Sequence, residues 1–346
     1  MRDFFGKRQF SLLLSSRAPE DFGAEGDDEM RYARLKPEET DFFVHLYNRV
    51  AGSAGDFPFD AAEKEEFIRR LKKLTELYII EVVAFQCMGN HFHLLAYVPA
   101  EVPSPDLAAR RYERFHSGKR SMDPKSDACR KLALKLRDVS EFMKDLEQPF
   151  TRWFNRTRPV RRRGHLWADR FKNTLLENGL AVWDCWKYIE MNPVRAHMVV
   201  SPSDYRFCSF GAWSALGRHP FEETVLRRLL PALNGLLHVE TIDEVRVELR
   251  KEFARIAAVE QKQTHRQIEA AIAVAAEKER FSTRIDRRVR YWVDGLVIGS
   301  DIFVRNTLVQ AKGRMSQAKR RLVRARNTSQ EPEPIYCFRQ LRVLLQ

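Results

Sequence analysis

The stretch Tyr78–Val98, YIIEVVAFQCMGNHFHLLAYV, limits what this chain can fold into more than any other. Two apolar runs, Ile79 to Phe85 and Leu94 to Val98, flank Met88-Gly89-Asn90, a pattern that predicts strand, tight turn, strand. Side chains alternate along a strand, so His91 and His93 share one face and Phe92 points to the other. Two neutral imidazoles held at a fixed separation suit a divalent metal. The pair alone is weak evidence, because most His-x-His pairs are surface or internally satisfied histidines.

Composition narrows the function. The chain has 346 residues, 44% of them apolar, enough for one large core or two domains. Lys and Arg number 60 against 47 Asp and Glu, and the net charge of +13 favours polyanionic partners wherever it is clustered. Cys87, Cys129, Cys185, Cys208 and Cys337 form no CxxC pair and no zinc spacing, so they read as reduced thiols of a cytoplasmic protein. No window holds about 18 uncharged apolar residues, and charge interrupts the N-terminal stretch too often for a signal peptide, so no membrane role is expected.

In chain order, residues 1–38 lack a sustained period and read as a poorly ordered lead-in. Asp41 to Arg49 reads as a first strand, in which His45 could reach a metal, although a lone strand histidine is more often structural. Asp60 and Glu63 form a capping pair ahead of Phe67, Leu71, Leu74 and Leu77, an amphipathic helix. Residues 100–138 read as a polar, basic loop insertion with a little helix. A helix is predicted from Val139 to Thr157, kinked by Pro149. The following segment crowds Arg156, Arg158, Arg161, Arg162, Arg163, Arg170 and Lys172 beside His165, Trp167 and Phe171. Arginine forks bind phosphate and aromatic rings stack on unpaired bases, so Arg161, Arg162, Arg163, His165, Trp167, Arg170 and Lys172 are candidate nucleic-acid contacts. A charged loop on a basic protein is the plainer alternative.

The next predicted helix, Leu180 to Met191, places Val182, Cys185, Trp186 and Ile189 on an apolar face and Asp184, Tyr188 and Asn192 on another. Pro193 is expected to end it and leave the Asn192 carboxamide at a helix terminus. Beyond Trp213 come a helical segment at Glu222–Leu237, a long charged helix from Ile242 to about Arg280, a turn segment presenting a helix start near Ser300, and a basic tail.

Four motifs occur in order between about Asp41 and Trp213: NHFHLL after an apolar strand, GHLWADRFK, YIEMNPVRAHMV and SPSDYRFCSFGAW. Together they resemble the REP-associated tyrosine transposases, a branch of the single-tyrosine HUH transposases. The resemblance implies an α+β fold in which residues 39–215 form a ferredoxin-like antiparallel sheet with helices packed on it. It implies His91 and His93 as metal ligands with Phe92 as the bulky residue between them, Tyr188 as nucleophile, and Asn192 as the polar group completing the metal site. The implied cofactor is Mg²⁺ or Mn²⁺. The implied partner is single-stranded DNA with hairpin or palindromic repeats, cut and rejoined through a covalent phosphotyrosine, and a homodimer is a candidate assembly.

Three departures stand out. Gly89 replaces the usual proline and is expected to loosen the turn, the insertion is long, and about 130 residues follow Trp213. Residues 216–346 are accordingly expected to form an α-helical, basic accessory region. A β/α-barrel hydrolase also begins from His-x-His, but His116, His165, His197, His219, His238 and His265 do not end strands in the pattern it needs. A domesticated, non-catalytic DNA-binding protein is the second alternative.

Overall fold

Aromatic and β-branched residues fill β1 (Phe42–Arg49), the strand on which the sheet is assembled. The structure, a computed structural model, describes residues 34–53, 55–233, 235–260, 292–293, 295–310, 320–324 and 336–340. Strands β2 (Glu81–Cys87) and β3 (His91–Val98) form the hairpin read from the sequence. β3 lies antiparallel to one edge of β1, and β4 (Lys172–Leu176) lies antiparallel to the other. Far from being loose, the turn at Gly89 is held by Met88 N–H to His91 O (2.8 Å), Val50 N–H to Asn90 O (2.7 Å) and Phe59 N–H to Gly89 O (2.8 Å). Phe57 packs so close to Gly89 that a Cβ there would collide with it.

Alternation gives the sheet two faces. On one, Val44, Leu46, Phe92, Leu94 and Ala96 pack under α1 (Ala61–Leu77) and α4 (Val139–Thr157). Asp60 and Glu63 form the expected capping box, and Phe67, Leu71, Leu74 and Leu77 are buried, each stabilising the layer by about 2 kcal/mol relative to exposure. On the other face Phe43, Leu95, Tyr97 and Leu176 pack against α5 (Leu180–Arg195), α6 (Ser209–Leu216) and α7 (Ile242–Glu260). The Glu190 carboxylate ties α5 to α6: its oxygens accept from Trp186 Nε1 (3.1 Å), Ser209 Oγ (2.5 Å) and Phe210 N–H (3.1 Å). The negative group thus sits at a helix N-terminus, where the backbone donors need acceptors.

Several expectations need correction. The insertion is no loop: α2 (Pro105–Phe115) and α3 (Asp127–Lys135), N-capped by Ser104 and Ser126, bury Ala108, Ala109, Cys129 and Ala133. α5 does not stop at Pro193 but continues to Arg195. Proline removes one N–H from the helix ladder, and the Asn192 side-chain amide supplies a donor to the Ile189 carbonyl (3.3 Å) instead. Nor is the region after residue 215 purely helical. β5 (Gly295–Gly299) lies parallel to β4, followed across the sheet by β7 (Tyr336–Gln340) and β6 (Arg320–Arg324). The described strands therefore form one seven-stranded sheet, ordered β2-β3-β1-β4-β5-β7-β6. The apolar run Leu296-Val297-Ile298 suits a strand buried between neighbours, and β4 offers it an open edge. Helix α8 (Asp301–Gln310) starts where expected, with Ser300 Oγ accepting from Phe303 N–H (3.2 Å). The lead-in 1–33, residues 261–280 of the long helix, and much of the basic tail lie outside the described residues. Among the described residues no helix is long and apolar enough to cross a membrane, and all five cysteines are buried thiols.

Candidate active site

Strand alternation and register bring a cluster of rings to the face of the sheet below α5. The pairings Tyr47 to His93, Arg49 to His91 and His45 to Leu95 put His45, Tyr47, His91 and His93 on that face, while Phe92 packs oppositely on Phe67 at 4.6 Å between ring centroids. His91 and His93 rings are 5.2 Å apart at 84°, and Tyr47 stacks on His93 at 4.7 Å. His45, read from sequence as structural, is a full member: its Nε2 lies 2.9 Å from His93 Nδ1, and its Nδ1 lies 3.0 Å from the Trp292 carbonyl oxygen. Burial drives all three imidazoles toward the neutral form. It pushes His45 down to about 3, His91 to about 4 with help from the Arg49 charge, and His93 well below the usual imidazole range.

Tyr188 comes to the same place from α5. Its ring meets His93 edge-on at 5.4 Å and His45 at 6.0 Å, and Trp292 stacks on it at 5.3 Å. The helix face shared by Asp184, Tyr188 and Asn192 is not open to solvent at Tyr188. The residue is 1% exposed, and its hydroxyl is buried with no hydrogen-bond partner. Helix α5 is buried from Ala181 to Pro193 because the sheet covers one side and α6 and α7 the other, so its polar residues are enclosed too. Asp184, for instance, pairs with Lys187 (2.8 Å), which reaches Glu252 of α7 (2.7 Å). Burial pushes the Tyr188 phenol above its ordinary range, and the Arg195 guanidinium, 5.5 Å from the ring centroid, pulls it back. Asn192 donates its amide to the Tyr188 carbonyl (2.9 Å) as well as to Ile189, so only its side-chain oxygen is left to face a ligand.

The chemistry of these donors can be compared with what a divalent cation requires. The His91 Nδ1 lies 2.7 Å from the Asn90 side-chain oxygen, an acceptor, so the proton of neutral His91 is on Nδ1 and its Nε2 lone pair is bare. Metal-binding histidines characteristically donate their other ring nitrogen in this way. Two neutral imidazoles on one sheet face suit a cation that takes its remaining ligands from elsewhere. Among the described residues no group of three or more His, Cys, Asp and Glu could hold a metal by itself.

The basic cluster divides. Residues 164–170 run beside the end of β1, through Ala51 N–H to Leu166 O (2.8 Å) and Ala168 N–H to Arg49 O (2.8 Å), so this loop borders the end of the sheet that carries His91. Arg161, Arg163, His165 and Arg170 are exposed, and Lys172 faces the histidine side opposite Tyr47. Arg162 is partly buried, holding the His165 carbonyl at 3.1 Å. Trp167 packs among Phe59, Phe92 and Phe150 at 5.3 to 6.0 Å, so its ring is a core element rather than an open stacking platform. Sequence reasoning passed over Arg195, seven residues beyond Tyr188 on one helix and therefore on the same side. It also passed over Trp292, for which local pattern held no signal.

No protein-family model matches the chain, and no curated protein matches it. Among solved structures, a REP-associated tyrosine transposase bound to a REP hairpin is similar over 57% of this chain and 90% of its own, at 15% identity and a TM-score of 0.35.

Proposed function

We propose that this chain is a metal-dependent DNA strand transferase and endonuclease of the single-tyrosine HUH type, acting on single-stranded DNA at hairpin-forming repeats. The observation that carries this reading is the convergence on one sheet face of paired neutral histidines and a tyrosine whose buried hydroxyl has no partner. An unsatisfied buried hydroxyl costs about 1–3 kcal/mol, an expense that a purely structural tyrosine avoids by becoming phenylalanine. The antiparallel order β2-β3-β1-β4, with helices between β1 and β2 and between β3 and β4, supports a ferredoxin-like core.

His91 and His93 would hold the cation through Nε2, with the Asn192 side-chain oxygen as third protein donor. Bound there, a divalent ion supplies Lewis-acid polarisation of the scissile phosphate. The Tyr188 oxygen attacks phosphorus, the bond to the 3′ oxygen breaks, the phenol gives up its proton and the departing oxygen takes one up. The product is a phosphotyrosine with a free 3′ hydroxyl on the other fragment. Arg195 favours the phenolate through its charge. Because the ester is conserved, a second hydroxyl can displace Tyr188 and rejoin the strand without another energy source. Tyr188 is sealed in the free protein, so DNA entry must displace its cover, of which the stacked Trp292 is one part.

His91→Ala and His93→Ala are expected to abolish cleavage of a hairpin-bearing single strand while DNA affinity stays within a few fold, since affinity rests on phosphate contacts elsewhere. Cleavage persisting in both variants rejects the metal role. The sealed state of Tyr188 also favours a second reading, a DNA-binding protein without catalysis, which the same assay separates: wild type then binds hairpins and never cuts them.

A further inference from the structure

We infer that His45 is a positioning residue for His93 and that the Trp292 carbonyl sets its orientation, so the segment after residue 291 is a working part of the metal site. This rests on the proposed function above and extends it to residues outside the His-x-His motif. The chain of contacts fixes the protons. A carbonyl oxygen only accepts, so the 3.0 Å contact between His45 Nδ1 and Trp292 O requires a proton on Nδ1. In a neutral imidazole with its proton on Nδ1, Nε2 carries the lone pair. His45 Nε2 is therefore an acceptor. The 2.9 Å contact to His93 then requires the His93 proton to be on Nδ1, which leaves the His93 Nε2 lone pair for the metal.

The two motif histidines are thus oriented by different devices. His91 uses the neighbouring Asn90 side chain, whereas His93 uses a relay that leaves its own strand, crosses β1 and ends on a backbone carbonyl far along the chain. The far end is itself fastened: Thr174 Oγ of β4 donates to the Gly295 carbonyl at 2.6 Å, three residues past Trp292. Trp292 adds its ring stack on Tyr188, so one segment touches both halves of the chemistry.

Binding of Mn²⁺ alone to the full chain, measured by calorimetry, tests the assignment alongside the nitrogen-15 spectrum of histidine-labelled protein. His45→Leu removes the acceptor, and Mn²⁺ affinity is expected to fall about 10- to 100-fold. His45→Gln can accept from His93 and donate to Trp292, and is expected to regain most of it. In metal-free wild type, His93 is expected as the Nδ1–H tautomer, a result that does not depend on any variant folding. A wild-type His93 protonated on Nε2 overturns the inference. So does a His45→Leu protein that binds Mn²⁺ as wild type does while His91→Ala and His93→Ala lose it, an outcome that leaves the proposed function standing. Unchanged Mn²⁺ binding in the His91 and His93 variants overturns both.

Discussion

Glu147, on the face of the sheet opposite the site, shows how a single side chain can shape the protein's response to pH. Its carboxylate, in α4, accepts from Asn48 Nδ2 (2.8 Å), and burial raises its pKa to about 7 despite that bond and the nearby Arg34 charge. Below the ordinary carboxylate range the group is protonated folded and unfolded alike and costs nothing. As pH rises from about 4.5 to 7 the unfolded chain releases the proton while the folded one retains it, so stability falls across that window. Glu147→Gln is expected to stabilise the protein by roughly 1–3 kcal/mol at pH 8 and to change little at pH 4, checked by denaturant melts at the two values. Equal effects at both would place the Glu147 penalty elsewhere. At this scale the sequence disclosed the residue types and their spacing but not their company. His91, His93 and Tyr188 were legible because a motif order weighted them. His45 was not, because one histidine on one strand acquires meaning only from its neighbour in the register.

At the scale of elements, boundaries were readable where the chain carries local signals. Asp60 with Glu63 started α1 as expected, and Val139 and Thr157 bound α4. α5 runs past Pro193, where proline alone would end it, because the Asn192 amide repairs part of the ladder that proline breaks. The α5–α6 junction was invisible in sequence, since it depends on Glu190 reaching Ser209 and Phe210. Gly211, in α6, is packed so that a Cβ would fall on the Tyr205 carbonyl oxygen. Gly211→Ala is therefore expected to cost more than 2 kcal/mol, because backbone on both sides must shift. A thermal or denaturant midpoint equal to that of wild type would show that the junction yields more easily than its contacts imply.

Taken whole, the molecule extends a four-stranded core by three strands from the far end of the chain, and that extension reaches into the ring cluster through Trp292. Sequence pattern could not disclose this, because a five-residue run such as Gly295–Gly299 does not say which edge it joins. The exposed arginines beside the β1 end are the proposed phosphate contacts. Neutralising Arg161, Arg162 and Arg163 together is expected to weaken binding to all single strands and to flatten the slope of log affinity against log salt by about 2, given roughly 0.7 per phosphate contact. An unchanged slope makes the cluster a bystander.

The central claim, that Tyr188 is the nucleophile of a strand transferase, is tested most directly by incubating the full chain with a hairpin-bearing single strand and Mg²⁺ or Mn²⁺, then denaturing it. A protein–DNA adduct that survives denaturation is expected, with the nucleotide mapped by mass spectrometry to the peptide containing Tyr188. Tyr188→Phe removes only a buried hydroxyl that has no partner, so fold and DNA binding should persist while the adduct disappears. An adduct that forms undiminished in Tyr188→Phe, or none in wild type with DNA bound and metal present, contradicts the claim.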